Sequence, residues 1–269
     1  MKKFIKSLIP PIFLVFLKKL RINKYGWKGN YPNWQKAEEA SSGYDSDEII
    51  QKVRSSLLKV KNGEAVYERD SIIFDEIQYS WPILSGLMLA STKFKGNLNV
   101  LDFGGSLGSS FYQNKKFLDR IEGVSWSIVE QDKFVQIGKR EFTSERLNFY
   151  YSIEECIEKN RPNVLLLSSV LQYLEKPYMI LDKILQNDFE YVLVDLTPFT
   201  NSFKDRVKLQ IVPSYLYNAS YPCWIFNENS FIHYFIKNNY KVLEKFKSLE
   251  VDSDEFFYKG MILEKDYNS

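Results

Sequence analysis

The ten residues Leu101-Asp-Phe-Gly-Gly-Ser-Leu-Gly-Ser-Ser110 constrain the fold of this chain more than any others. An apolar run of Leu98, Val100, Leu101 and Phe103 breaks into glycines, and a stretch able to form a helix follows from Ser109 to Leu118. The order is strand, tight turn, helix, and it aims the free amides of the helix N-terminus at whatever lies beyond the turn. Glycine belongs there because a side chain would hold backbone and ligand apart. A second short strand, Ser125-Trp-Ser-Ile-Val-Glu130, ends in a carboxylate 22 residues beyond Gly108.

A carboxylate at the tip of the second strand suits the two hydroxyls of an adenosine ribose. The turn therefore reads as a nucleotide site; the plainer alternative is a strand-to-helix turn that binds nothing. A dinucleotide fingerprint wants glycines at offsets zero, two and five. Here they fall at 104, 105 and 108, so that pattern fails. The segment instead resembles the first motif of class I S-adenosylmethionine-dependent methyltransferases, apolar-x-Asp-x-Gly-x-Gly-x-Gly. Asp102, Gly104 and Gly108 match it, and Ser106 stands where the middle glycine is expected. Gly105, one place early, is expected to supply the missing flexibility.

Length and charge narrow the class. A chain of 269 residues, 45% hydrophobic and 16% aromatic, is large enough for one α/β domain with an appendage. The two cysteines, Cys156 and Cys223, and the single histidine, His233, offer no metal-ligand spacing, and they suit a reducing cytoplasm without a disulfide framework. The net charge of +2 conceals an asymmetry: residues 1–37 carry nine Lys/Arg and no acid. Taking those nine from the 36 in the chain leaves 27 basic against 34 acidic side chains, a net of −7. Leu8 to Leu17 is an apolar run of ten, broken by Pro10-Pro11 and flanked by lysines. A bilayer span needs roughly 20 such residues, so this run does not cross. Lys18-Lys19 follows where a signal peptide would have small residues. Two readings of the arm stand: peripheral contact with the anionic inner face of the plasma membrane, or a helix docked on the protein's own core. Nucleic acid is disfavoured, because the remainder is acidic and nothing interleaves cations with aromatics.

Three zones follow: a basic apolar arm at 1–37, a helical cap or lid at 38–95, and a ligand-binding domain at 96–269. In the second, Asp45 with Glu48 has capping-box spacing, and Ile49, Val53, Leu57 and Val60 recur at helical intervals up to Gly63. A further helix is expected from about Tyr67, kinked at Pro82, with Tyr67-Glu-Arg-Asp70 and Tyr79 as a polar lid or a solvated face. From residue 96 the pattern is that of a doubly wound α/β sheet, with strands at 98–103, 125–130, 147–151, 164–168 and 191–195. Val164-Leu-Leu-Leu-Ser-Ser169 is apolar on both faces, as a central parallel strand requires, and it sets Ser168 and Ser169 at the ligand-binding end. The tail reads as two strands, 240–246 and 256–264, joined by an acidic loop.

Such a terminal hairpin is the topology that the class I resemblance implies: a mostly parallel, seven-stranded Rossmann-like sheet with an antiparallel terminal strand and an N-terminal helical extension. Val170-Leu-Gln-Tyr-Leu174 resembles the fourth motif of the same class. A wider resemblance runs through Tyr44-Asp45, Glu68-Arg-Asp70, Leu101 to Gly105, Trp126 to Gln131, Val170 to Leu174 and Ala219-Ser-Tyr-Pro222. It is to a bacterial family of methyltransferases associated with gene clusters for O-antigen and other surface polysaccharides. The resemblance implies S-adenosylmethionine as cofactor, with Asp102 and Gly104 at its methionine end, Glu130 at the ribose, and Ser152 and Ile153 beside the adenine. It implies a glycan, or a nucleotide- or lipid-linked sugar, as acceptor. A sugar hydroxyl needs a base; Asp195, ending the fifth strand, and His233, in a helix-like run, are the candidates. The strip Tyr215 to Trp224 is a candidate acceptor wall or core. Two rival readings are a nucleotide-binding module without turnover and a nucleotide-sugar oxidoreductase.

Overall fold

A computed structural model describes residues 26–43, 46–213, 216 and 218–267. The run from Leu8 to Leu17, the capping-box Asp45, and Tyr215 and Tyr217 of the aromatic strip lie outside the described residues. In chain order the elements begin with β1 (Gly26–Tyr31), α1 (Trp34–Glu39), α2 (Ser46–Lys61), β2 (Tyr67–Arg69), β3 (Ile72–Phe74) and α3 (Trp81–Lys93). Next come β4 (Asn97–Phe103), α4 (Ser109–Leu118), β5 (Gly123–Val129), α5 (Asp132–Ile137), β6 (Leu147–Tyr150), α6 (Ile153–Asn160) and β7 (Val164–Ser168). The chain continues through α7 (Pro177–Ile184), β8 (Tyr191–Thr200), β9 (Arg206–Ile211), β10 (Ser220–Asn227), α8 (Glu228–Lys237), β11 (Tyr240–Lys247) and β12 (Phe257–Lys265).

Two compact units emerge. The smaller joins the described residues up to 43 with those of Val207–Cys223. In it β1 pairs antiparallel with β9, from Gly26 opposite Ile211 to Tyr31 opposite Val207, with an irregularity between Lys28 and Tyr31. α1 is capped by Asn33, whose side chain accepts from Lys36 N at 3.0 Å, and it buries Trp34 and Ala37. Residues 26–37, the later part of the basic arm, thus hold a strand and most of a helix.

The larger unit, Ser46–Arg206 with Trp224 onward, carries the sheet. Its strands run in the order β6-β5-β4-β7-β8-β12-β11. β12 lies antiparallel to both β8 and β11, while β4 to β8 are mutually parallel. These seven strands are the expected doubly wound sheet with its antiparallel terminal strand, and the structure adds to them a short parallel pairing of β10 with the end of β8, Phe226 opposite Phe199 and Asn227 opposite Thr200. Side-chain alternation along the strands divides the interior in two. Val100, Leu166 and Leu193 join a cluster completed by α2, α3, α4 and α5, whereas Leu101, Leu165, Leu167, Val192 and Val194 join one completed by α6, α7 and α8. Burial on both faces explains why these strands read as continuous apolar runs.

The stretch after α2 differs from expectation. The helix expected from Tyr67 is instead a hairpin, with Tyr67 opposite Phe74 and Arg69 opposite Ile72. The following helix starts only at Trp81, and Pro82 sits in its first turn, where the missing N–H costs nothing, so there is no kink. No helix among the described residues is long and apolar enough to cross a membrane.

Candidate functional site

The carboxyl ends of β4, β5, β7 and β8 meet where the strand order reverses, which is where sheets of this kind bind ligands. Asp102, near the end of β4, is 1% exposed, and its Oδ2 accepts from Trp126 Nε1 at 3.0 Å. Burial pushes its carboxyl up to about 7, with the Glu130 charge adding to the rise and the Trp126 bond opposing it. Gly104 has φ +73°, and a Cβ there would run into Val170, at the head of the fourth-motif segment. Gly108, at φ +109°, is the residue before α4. Gly105 does not supply the flexibility expected of it. Ser106 itself takes the left-handed conformation, at φ +55°. Gly105 leaves room for the Asp102 carboxyl, which would lie 2.5 Å from any Cβ at that position.

Glu130 follows β5 directly. Its carboxylate accepts from the backbone N–H of Gln131 at 2.6 Å and from that of Ser106 in the glycine turn. The turn is tied back in return, since Gly104 N donates to Val129 O at 2.9 Å. Burial raises the Glu130 pKa and those two amides oppose the rise. A carboxylate offers about four lone-pair sites, so two remain for a pair of hydroxyls. Ser152 caps α6, accepting from Glu155 N at 3.1 Å, and Ile153 is buried in the core, so the chain turns at the end of β6 where the adenine was expected. Ser168 and Ser169 sit at the end of β7. Ser169 N donates to Asp195 O at 3.1 Å, and its hydroxyl accepts from Gln172 Nε2 at 3.2 Å.

Beside the turn lies a small polar chamber open to solvent. Ser168, Leu166 and Asp195 form its floor, Ser109, Ser110, Gln113 and Asn114 of α4 one wall, and Tyr67, Arg69 and Ser80 another. Asp195 is 3% exposed. Its Oδ2 accepts from Ser80 Oγ at 2.8 Å and its Oδ1 from Ser248 Oγ at 2.6 Å and Leu196 N at 2.8 Å. Burial raises its pKa against those bonds. Two residues given no individual role from sequence prove central. Glu68, 2% exposed, accepts from Ser109 Oγ and from Ser71 N at 3.2 Å, and burial pushes its carboxyl up to about 7. Gln113 donates from Nε2 to Tyr67 OH at 3.1 Å and to Gln78 O at 2.5 Å. Together they fasten the hairpin to the helix that follows the glycine turn. His233 is exposed on α8 and does not line the chamber.

The site is thus a glycine turn, the Glu130 carboxylate and a polar chamber on one switch point of a doubly wound sheet. No protein-family model matches the chain. No curated protein matches it either. Among solved structures it is similar to the N-terminal domain of EvdMO1 in the presence of SAH and D-fucose, at 14% identity and a TM-score of 0.49, over 83% of this chain and 98% of that one. It is similar to magnesium protoporphyrin IX methyltransferase from Synechocystis PCC 6803 with bound SAM, at 10% identity and a TM-score of 0.45, over 84% and 99% of the two chains. A third is the Burkholderia thailandensis 1,6-didemethyltoxoflavin-N1-methyltransferase, at 12% identity and a TM-score of 0.42, over 84% and 95%. At these identities and scores each likeness is one of outline and nothing more.

Proposed function

We propose that the protein is an S-adenosylmethionine-dependent methyltransferase. The observation that carries this reading is the glycine turn of β4 held against Glu130, on a sheet whose last strand returns antiparallel between β8 and β11. The cradle fits the group: two glycines at positive φ let backbone approach a ligand, and Glu130 keeps free lone pairs for ribose hydroxyls. When bound, S-adenosylmethionine supplies a methyl carbon already activated on a sulfonium. The chain has only to align the acceptor, exclude water and receive a proton. Glu130 holds the ribose and Asp102 faces the methionine end. Asp195 is our candidate to take the acceptor proton, because burial moves its pKa towards the range in which a base works at neutral pH. Calorimetry tests the cofactor: S-adenosylmethionine and its demethylated product S-adenosylhomocysteine are expected to bind and NAD is not. NAD binding with indifference to S-adenosylmethionine would sink the reading.

For the acceptor we propose an oxygen or nitrogen of a sugar, on a surface polysaccharide or its nucleotide- or lipid-linked precursor. The support is the sequence resemblance running from Tyr44 to Pro222. Labelled-methyl incorporation into glycan is expected to disappear in an Asp102→Ala strain; unchanged labelling there rules the acceptor out.

The nine cations of the first 37 residues support peripheral attachment to the inner face of the plasma membrane. Each Lys or Arg near an anionic surface contributes roughly 1 kcal/mol, an attraction that decays within a Debye length of about 10 Å at 0.1 M salt. The full chain is expected to float with anionic vesicles at low salt and to release at high salt. A chain begun at Gly26, which keeps β1 and α1 intact, is expected to stay behind. If both chains remain in the unbound fraction, the arm does not bind membrane.

A further inference from the structure

Where β8 meets β12 it carries one extra residue. Lys259 stands opposite Thr197 but Met261 opposite Val194, so Gly260 faces both Asp195 and Leu196 across a β-bulge. The core registers the insertion. Strict alternation would put Phe199 with Tyr191 and Leu193, yet it packs in the opposite cluster, with Val192 and Val194. Leu196 takes the left-handed conformation at φ +50°, which a side chain of its size resists. Ser169, at the end of the adjoining β7, does the same at φ +54°. Such turns persist only where their surroundings hold them, and they cluster at functional sites.

Gln172 holds both turns. It is 1% exposed, and its Nε2 donates to Leu196 O at 3.0 Å and to Ser169 Oγ at 3.2 Å, which spends both amide protons. Ser169 N in turn donates to Asp195 O at 3.1 Å. Gln172 Oε1 is buried without a partner, an unmet cost that a side chain kept only to fill space would not carry.

What the bulge fixes is Asp195. Leu196 N and Ser248 Oγ both donate to its Oδ1, and Ser80 Oγ donates to its Oδ2. Of the carboxylate's roughly four lone-pair sites one is left, on Oδ2, and Asp195 lines the chamber. An acceptor proton therefore has a single place to go. We propose that Gln172 is a positioning residue for Asp195: by clamping the two left-handed turns it aims that open site at the acceptor. The proposal rests on Asp195 as the base of the reaction proposed above, and Gln172 acts only through it.

Gln172→Met, which keeps length and bulk but loses both donors, tests this on the full chain with two readouts. The first needs no acceptor: a carbon NMR titration of the Asp195 carboxyl, assigned with Asp195→Asn. Arg69 and Tyr67 of the β2–β3 hairpin are the titratable groups acting on it, while Ser80 and Ser248 face it without charge. The bonds from Leu196 N and Ser248 hold its pKa down against burial. Loosening them is expected to move the titration further up, while S-adenosylhomocysteine affinity changes less than about twofold. The second readout is labelled-methyl incorporation into glycan, expected to fall roughly 100-fold, as a misplacement of about 1 Å can produce. Adding Leu196→Gly, which takes the left-handed turn without strain, should restore part of it. An unchanged Asp195 titration overturns the proposal, as does incorporation that falls only in step with the amount of folded protein. A titration that moves while incorporation holds removes Asp195 as the base and the proposal with it. A wild type that incorporates no label overturns the acceptor reading, and the titration alone then decides whether Gln172 positions Asp195.

Discussion

Replacing Glu130 with alanine is expected to weaken S-adenosylhomocysteine binding by about a hundredfold or more while leaving the fold intact. The loss follows from two hydroxyl bonds to a charged acceptor, each worth about 1.5–3 kcal/mol against 1.4 kcal/mol per tenfold in affinity. The fold should tolerate the change because burial already disfavours the ionised Glu130 carboxyl. Its backbone partners are one neighbouring amide and one in the turn. Glu130→Gln keeps one acceptor oxygen and should fall between the two. Calorimetry paired with thermal melting separates the effects. Full affinity in the alanine variant would move the ribose to another part of the site.

Raising the pH is expected to destabilise the ligand-free protein. Asp102 and Glu68 each have a folded pKa of about 7, against unfolded values near those of free carboxyls. The native state therefore binds more protons than the unfolded one between about pH 4 and pH 7, and stability falls as pH rises through that window. At 1.36 kcal/mol per pKa unit, each shift is worth on the order of 3–4 kcal/mol, fully present below about pH 4 and gone above about pH 7. Denaturant melts from pH 4.5 to 8 check this, and Asp102→Asn and Glu68→Gln should each flatten the profile. A wild-type profile that rises over the same range would mean that the two carboxyls are solvated or paired in the folded state.

Much of the sheet was legible because its strands obey two rules at once. Val164 to Leu167 and Tyr191 to Val194 are buried on both faces, so they carry no polar interruption and stand out against their flanks. Glu130 was legible because strand, turn, helix and second strand lie close together in sequence. The hairpin at Tyr67 was not. Its two-residue turn is Asp70-Ser71, both at positive φ (51° and 67°), a geometry usually announced by Asn-Gly. Without glycine there, the stretch from Tyr67 reads as the start of a helix. β1 was hidden by Gly26 and Gly29, which read as loop inside a basic arm, and β10 by Pro222 in an aromatic strip. The chamber was invisible for another reason: Glu68 meets Ser109 and Ser80 meets Asp195 only in three dimensions, across 41 and 115 residues of chain.

The closeness of Gly105 to Asp102 couples the two positions in this chain. A side chain at 105 would meet the Asp102 carboxyl where it now lies, so Gly105→Ala should cost more stability with the aspartate present than beside Asp102→Ala.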